Sequence, residues 1–145
     1  MRISDVLRVK GAGVVTVSPE TRVEALLAVL AEHRIGAIVV SADGTRVDGI
    51  VSERDIVRAL AQRGAAVLAE PVTAIHTTEV HTVEPEASLE DVERLMTERR
   101  FRHVPVVVDG ELRGIVSIGD VVKERMGELE TERTSLAGYI TGERF

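Results

Sequence analysis

Between residues 22 and 34 apolar side chains fall at Val23, Leu26, Leu27 and Leu30, and between 88 and 100 at Leu89, Val92, Leu95 and Met96. Both sets recur every three or four residues, the period of one buried helix face, and predict helices over about 22–34 and 88–100. Ser88 stands at an N-cap position, with the acid Asp91 in the first turn. After each helix the period changes. Ala37–Val40 and Val104–Val108 are short apolar runs, and Val106-Val107-Val108, with no polar alternation, predicts a strand covered on both faces. Asp43-Gly44 and Asp109-Gly110 are hairpin signals. They lead to second strands at Val47–Val51 and Leu112–Val116, which run into helices at Ser52 and Ser117. A short extended piece, ending at Pro19 or Pro85, precedes each first helix.

The two sets of elements are copies. Thr16-Val17-Ser18-Pro19-Glu20 returns 66 residues on as Thr82-Val83-Glu84-Pro85-Glu86. At the same offset Arg34–Val40 returns as Arg100–Val106. Gly49-Ile50-Val51-Ser52-Glu53-Arg54-Asp55 returns at offset 65 as Gly114-Ile115-Val116-Ser117-Ile118-Gly119-Asp120. The one-residue change falls between Ser41 and Asp48, at a hairpin tip, where length changes are tolerated. Each copy reads β-α-β-β-α, so the chain is expected to be α+β, built from two tandem repeats. The expected organisation is a first repeat over 1–62 with its leader of about ten residues, a linker over 63–72, a second repeat over 73–125 and a helical extension over 126–145. The leader's counterpart is Val72-Thr73-Ala74-Ile75-His76, where a short helix is expected. One long helix is expected over about 118–140. Val122, Met126, Leu129, Leu136 and Ile140 form an apolar seam along it, interrupted by Arg133, suited to core or dimer contact.

Composition narrows the function classes. At 145 residues and 15.7 kDa, a compact monomer would expose roughly 7,300 Å² of the about 23,000 Å² of the extended chain, enough burial for one real core. The net charge is −6 and the sequence pI about 5.3, which disfavours nucleic-acid binding, since that needs a positive field. Phe101, Tyr139 and Phe145 are the only aromatics, too few for a base-stacking surface. The run Arg99-Arg100-Phe101-Arg102 reads as a solvated helix end complementing the dipole. With no cysteine there is no disulfide, thiolate zinc site or cysteine nucleophile. No apolar run reaches membrane-spanning length and the start carries no signal-peptide apolar region, so a cytoplasmic protein without membrane contact is expected. His33, His76, His81 and His103 show no metal-ligand spacing, and no nucleophile-elbow motif supports a hydrolase. No catalytic or metal-binding residue is therefore nominated.

The chemistry lies in the repeated Gly-Ile-Val-Ser-x-x-Asp turn. Glycine allows close backbone approach at a strand end, serine sits at an N-cap, and the helix start offers unpaired N–H groups to an anion. The aspartate in the first turn can present two acceptor oxygens to a vicinal diol such as ribose. The plainer reading is an ordinary capping motif. Its recurrence after a glycine-led strand in both copies favours a ligand site.

Two repeats of this plan resemble a tandem CBS-domain pair, or Bateman module. The supporting residues are Thr16-Val17-x-Pro19, Thr82-Val83-x-Pro85, Arg102-His103-Val104-Pro105-Val106 and both Gly…Ser…Asp turns, and the likeness covers about residues 1–125. The resemblance implies repeats packed by pseudo-twofold symmetry, two clefts for adenosine-containing ligands (AMP, ADP or ATP, with NAD or S-adenosylmethionine as further candidates), and a regulatory rather than catalytic role. Carried over residue by residue, Asp120 and Asp55 correspond to ribose-binding aspartates, Ser117 and Ser52 to hydroxyls beside ribose and phosphate, and Ile115 and Ile50 to residues facing the base. The Asp120 cleft would add Thr16, Val17, Ile35, Gly36 and Ala37; the Asp55 cleft would add His81, Thr82, Phe101, Arg102 and His103. The first copy lacks the Arg102-His103 pair, and Glu53-Arg54 stands where the second has Ile118-Gly119. One good site is therefore expected, centred on Asp120 with Arg102 and His103 near its phosphates. The resemblance also implies a homodimer and a regulated protein partner. The alternative is a constitutive interaction scaffold with vestigial clefts.

Overall fold

The structure is a computed structural model and describes residues 1–11 and 13–140. In chain order its elements are α1 (Ile3–Lys10), β1 (Thr16–Val17), α2 (Val23–His33), β2 (Ala37–Val40), β3 (Gly49–Ser52), α3 (Glu53–Arg63), α4 (Leu89–Arg99), β4 (His103–Val108), β5 (Glu111–Ser117) and α5 (Ile118–Ile140). Short 3-10 turns at Ala65–Ala69 and Val72–Ala74 occupy the expected linker and the leader's counterpart. Helix and strand bounds follow the apolar pattern closely. β3 starts later than the expected Val47 because Asp48 closes the hairpin: its carboxylate accepts from Ala42 N at 2.8 Å.

In the first half β1 runs parallel to β2, and β2 pairs antiparallel with β3, giving the order β1-β2-β3. In the second half β4 pairs antiparallel with β5, and the counterpart of β1 shrinks to a parallel bridge between Val83 and Val106. Ala37–Val40 are all buried. Of Val106-Val107-Val108, expected to be covered on both faces, Val106 is buried but Val107 and Val108 are only half-buried, because the end of β4 runs out towards the hairpin. Asp109 and Gly110 both take positive φ, at 51° and 78°, a tight hairpin conformation that Asp-Gly tolerates.

Two apolar cores result, and the segments preceding the repeats cross between them. Ile3 and Val6 of α1 lie in the second core with Leu89, Val92, Met96 and Val104. Val67 and Val72 lie in the first, with Val23, Leu26 and Val51. Backbone bonds fix both crossings: Ile3 N donates to Ala87 O at 2.9 Å, and Val72 N to Thr21 O at 2.8 Å. So α1 leads the first half in sequence and packs on the second in space.

The Val122-to-Ile140 seam is not core within this chain. Val122, Met126, Leu129, Leu136 and Ile140 are all exposed, Met126 to 64% and Ile140 to 81%. The chain exposes 9349 Å², well above the roughly 7,300 Å² of a compact monomer of this mass. Among the described residues no helix is long and apolar enough to cross a membrane.

Candidate functional site

The two Ser-x-x-Asp turns form alike. In the first, Asp55 Oδ2 accepts from Ser52 N at 2.8 Å and from Ser52 Oγ at 3.0 Å, while Asp55 N donates back to Ser52 Oγ at 3.3 Å. In the second, Asp120 Oδ2 accepts from Ser117 N at 2.9 Å and Asp120 N donates to Ser117 Oγ at 3.1 Å. Both are reciprocal caps, so the plainer reading of the motif is structurally correct as far as it goes. The caps also consume donors. Glu53 N donates to Gly36 O at 2.9 Å, and Ile118 N to Arg102 O at 2.7 Å. With two of the first three N–H groups spent at each helix start, an anion there must be held mainly by side chains.

The glycines that open the motif serve packing. A Cβ on Gly49 would collide with Nδ1 of His76, and one on Gly114 would lie 2.7 Å from Cδ2 of Leu7. The crossing segments thus press on both strands where only glycine leaves room.

The turns differ in what faces them. A cavity of about 840 Å³ opens at the first turn, between the two halves. β3 and α3 contribute Ile50, Ser52, Glu53, Arg54, Asp55, Val57 and Arg58; the start of β2 contributes Gly36 and Ala37. Thr77, Glu79, Val80 and His81 come from the connection between halves, and Arg99, Arg100, Phe101, Arg102 and His103 from the end of α4 and the start of β4. Arg100 takes a left-handed conformation, φ 59°, which turns the chain from α4 into β4 along the cavity wall. His81 and Phe101 form a tilted ring pair 4.7 Å apart on that wall. Five arginines against three acids make this lining positive in a chain of net charge −6. A lining of this composition suits a ligand with an apolar body and an anionic end.

The second turn carries an internal ion pair. Lys10 Nζ lies 2.8 Å from Asp120 Oδ2 and donates to Ile115 O at 2.9 Å. Burial raises the Asp120 pKa, but the hydrogen bonds from Lys10 and Ser117 outweigh it and hold the carboxyl below its ordinary value. His103 lies between the two turns. Burial, then the charge of Lys10, holds its imidazole below the ordinary value, against the opposing pull of Asp120 and Glu53.

Comparison with known proteins fits this architecture. The CBS domain family model matches residues 3–62 and 72–127. The chain belongs to the CBS-domain family. A mitochondrial CBS domain-containing protein of Arabidopsis thaliana is 34% identical over 148 residues, covering 97% of this chain and 72% of that protein. The crystal structure of a CBS-domain-containing protein from Agrobacterium tumefaciens is 44% identical and superposes with a TM-score of 0.82, covering 86% of this chain and 99% of the other. A CBS domain protein from Pyrobaculum aerophilum, solved in complex with AMP, is 32% identical with a TM-score of 0.78, over 90% and 97% of the two chains.

Within this CBS pair the expected Asp55 set comes together: Ile50, Ser52, Asp55, His81, Phe101, Arg102 and His103 all line the cavity, while Thr82 does not. Gly36 and Ala37, expected beside Asp120, line the Asp55 cavity instead. Thr16, Val17, Ile35, Ile115, Ser117 and Asp120 contribute nothing to it. Val17 is in the first core and Ile35 packs against it. Arg102 and His103 join the Asp55 side, and the run Arg99–Arg102, read as a solvated helix end, lines the cavity. Sequence reasoning missed Glu79 and Lys10, which sit in the crossing segments outside the matched motifs.

Proposed function

We propose that this CBS pair is a regulatory module that takes an adenosine ligand bearing an anionic group in the cavity at Asp55. The observation that carries the reading is the cavity itself, lined by a capped aspartate, by the apolar side chains of Ile50, Val80 and Phe101, and by arginines from both halves. Asp55 Oδ2 is engaged in the cap, and the carboxylate retains acceptor capacity for a ribose hydroxyl. Arg54, Arg58 and Arg99–Arg102 supply the positive field for phosphate. The AMP complex of the Pyrobaculum aerophilum relative supports the ligand class. AMP, ADP and ATP are the first candidates, with NAD and S-adenosylmethionine behind them.

Regulation follows from the lining. Ile50, Ser52 and Asp55 belong to the first half, Phe101, Arg102 and His103 to the second. A ligand that touches both favours the packing in which both reach it, and shifts the equilibrium only by its differential affinity for that packing. A partner that reads the packing completes the signal, and no catalytic step is assigned. The exposed α5 seam fits a second copy of the chain, so the reading includes a homodimer. Sedimentation at tens of micromolar should show a dimer; a monomer removes that part of the reading.

The test is a thermal-shift panel of AMP, ADP, ATP, NAD, NADH and S-adenosylmethionine on the wild type and on Asp55→Asn. A ligand at 100 times its Kd should add about 2.7 kcal/mol of stability. A shift with one ligand that is lost in the variant assigns the site. No shift with any of them favours the scaffold reading.

A further inference from the structure

The two clefts of a symmetric repeat protein should accept the same ligand, and here the crossing segments break the symmetry. The antiparallel bridge Arg2–Ser88 in one half matches Pro71–Arg22 in the other. Ile3 and Val72, one step on, are both fully buried. Leu7 and His76 then meet the equivalent glycines, Gly114 and Gly49. The same alignment sets Arg8 opposite Thr77 and Lys10 opposite Glu79.

From there the backbones part. The connection between halves unwinds, and Thr77 exchanges hydrogen bonds with Ile50: Thr77 N donates to Ile50 O at 2.8 Å, and Ile50 N to Thr77 O at 2.9 Å. Its counterpart, α1, stays helical through Lys10, so Arg8 N is not offered to Ile115 in the same way. The Ile115 carbonyl takes its hydrogen bond from Lys10 Nζ, and the same ammonium ion-pairs with Asp120. At the other turn the equivalent side chain is Glu79, whose negative charge cannot pair with Asp55 and which lines the open cavity.

We propose that Lys10 is an internal plug: its ammonium spans the Ile115 carbonyl and the Asp120 carboxylate, the ground a ribose would need, so the chain takes one adenosine ligand at Asp55 and none at Asp120. The inference rests on the reading of these aspartates as ribose acceptors. Lys10 keeps its side chain 37% exposed and Asp120 keeps 26%. A pair so open to water is weak. The plug is therefore released by a single substitution, without loss of the core beneath it.

The experiment is isothermal titration calorimetry with AMP on the full chain as wild type, Lys10→Ala, Lys10→Met and the double variant Lys10→Ala with Asp120→Asn. Thermal melts confirm that each is folded. The expected stoichiometry is one per chain for the wild type, two for either Lys10 variant, and one again for the double variant. Lys10→Met retains the length of the side chain without its charge, so it tests the ammonium if Lys10→Ala fails to fold. Two sites in the wild type, or an unchanged single site in the Lys10 variants, overturns the plug. No AMP on the wild type, with one site gained in Lys10→Ala and lost in the double variant, overturns the Asp55 reading and upholds the plug. No AMP on any form overturns both.

Discussion

The turn at Ser52–Asp55 and the turn at Ser117–Asp120 share a sequence motif, a reciprocal cap and a glycine pressed by a crossing segment, yet one faces a cavity and the other a lysine. Two turns of the same local structure thus have different surroundings. On the plug proposal, where a ligand goes is decided by one charge on each crossing segment: Lys10, ion-paired with Asp120, and Glu79, which lines the cavity with Asp55. In that proposal the capping motif supplies the acceptor, and a residue remote in sequence sets whether it is available.

The largest effect that would sharpen this comparison is on ligand-induced stability. Asp55→Asn should remove the gain of about 2.7 kcal/mol seen at 100 times Kd, whereas Asp120→Asn should leave it intact. If Asp120→Asn removes it instead, the two clefts have been assigned the wrong way round. Differential scanning fluorimetry on both variants, each referred to its own unliganded midpoint, checks this.

Next come the glycines, where the halves should behave alike. Gly49→Ala must displace His76 and Gly114→Ala must displace Leu7, each an overpacking change costing about 1–3 kcal/mol. Urea denaturation measures both. A neutral outcome for either would mean that the crossing segment yields at that point.

A smaller effect separates the halves again. Arg34 and Arg100 both end a helix with positive φ, 54° and 59°, a conformation that costs a non-glycine residue about 1–2 kcal/mol. Replacing either with glycine relieves that strain, less the added entropy of the unfolded chain, so stability should rise by about 0.5–1 kcal/mol. Only Arg100→Gly should also weaken AMP binding, because Arg100 lines the cavity and Arg34 does not. Equal affinity in the two variants would remove Arg100 from the ligand's surroundings.

The smallest expected effect is that of pH. The folded state holds His103 below its ordinary pKa of 6.5, so the unfolded chain binds the proton more readily. The penalty is absent above 6.5, grows as pH falls through 6.5, and is complete below the folded-state value. His103→Gln should flatten that part of the stability profile. Asp120, lowered from 3.8, acts in a separate and more acidic window: it contributes above 3.8 and the contribution is lost as pH falls through its folded-state value. In Lys10→Ala the Asp120 window should narrow.

The fold was largely legible because its signals are local. Helical spacing at Val23–Leu30 and Leu89–Met96, the Asp-Gly hairpins and the duplicated turn each report on neighbours in sequence, and they fall on α2, α4, the hairpins and the two caps. The site was legible in its parts and not in its assembly. The Arg102-His103 pair stands out in the sequence, but its placement depends on how β4 faces α3 across the molecule. The signal for the lysine was present: setting residues 1–10 against 70–79 places Lys10 opposite Glu79. Apolar periodicity cannot expose that pairing, because the ion pair joins a leader helix to a turn at the far end of the chain. The exposed seam of α5 shows the same limit, since heptad-like spacing reports an apolar stripe and not what covers it.

The crossing of the leading segments also orders the molecule's assembly in time. During synthesis the first core has all its parts, from Val17 to Val72, soon after the connection between the halves emerges. Helix α1, which precedes the first repeat, has no core partner until Leu89, Val104 and Val121 follow it out. Helix α1 is thus synthesised before the first repeat but can be buried only after it, and serves as a clasp that closes over the second repeat.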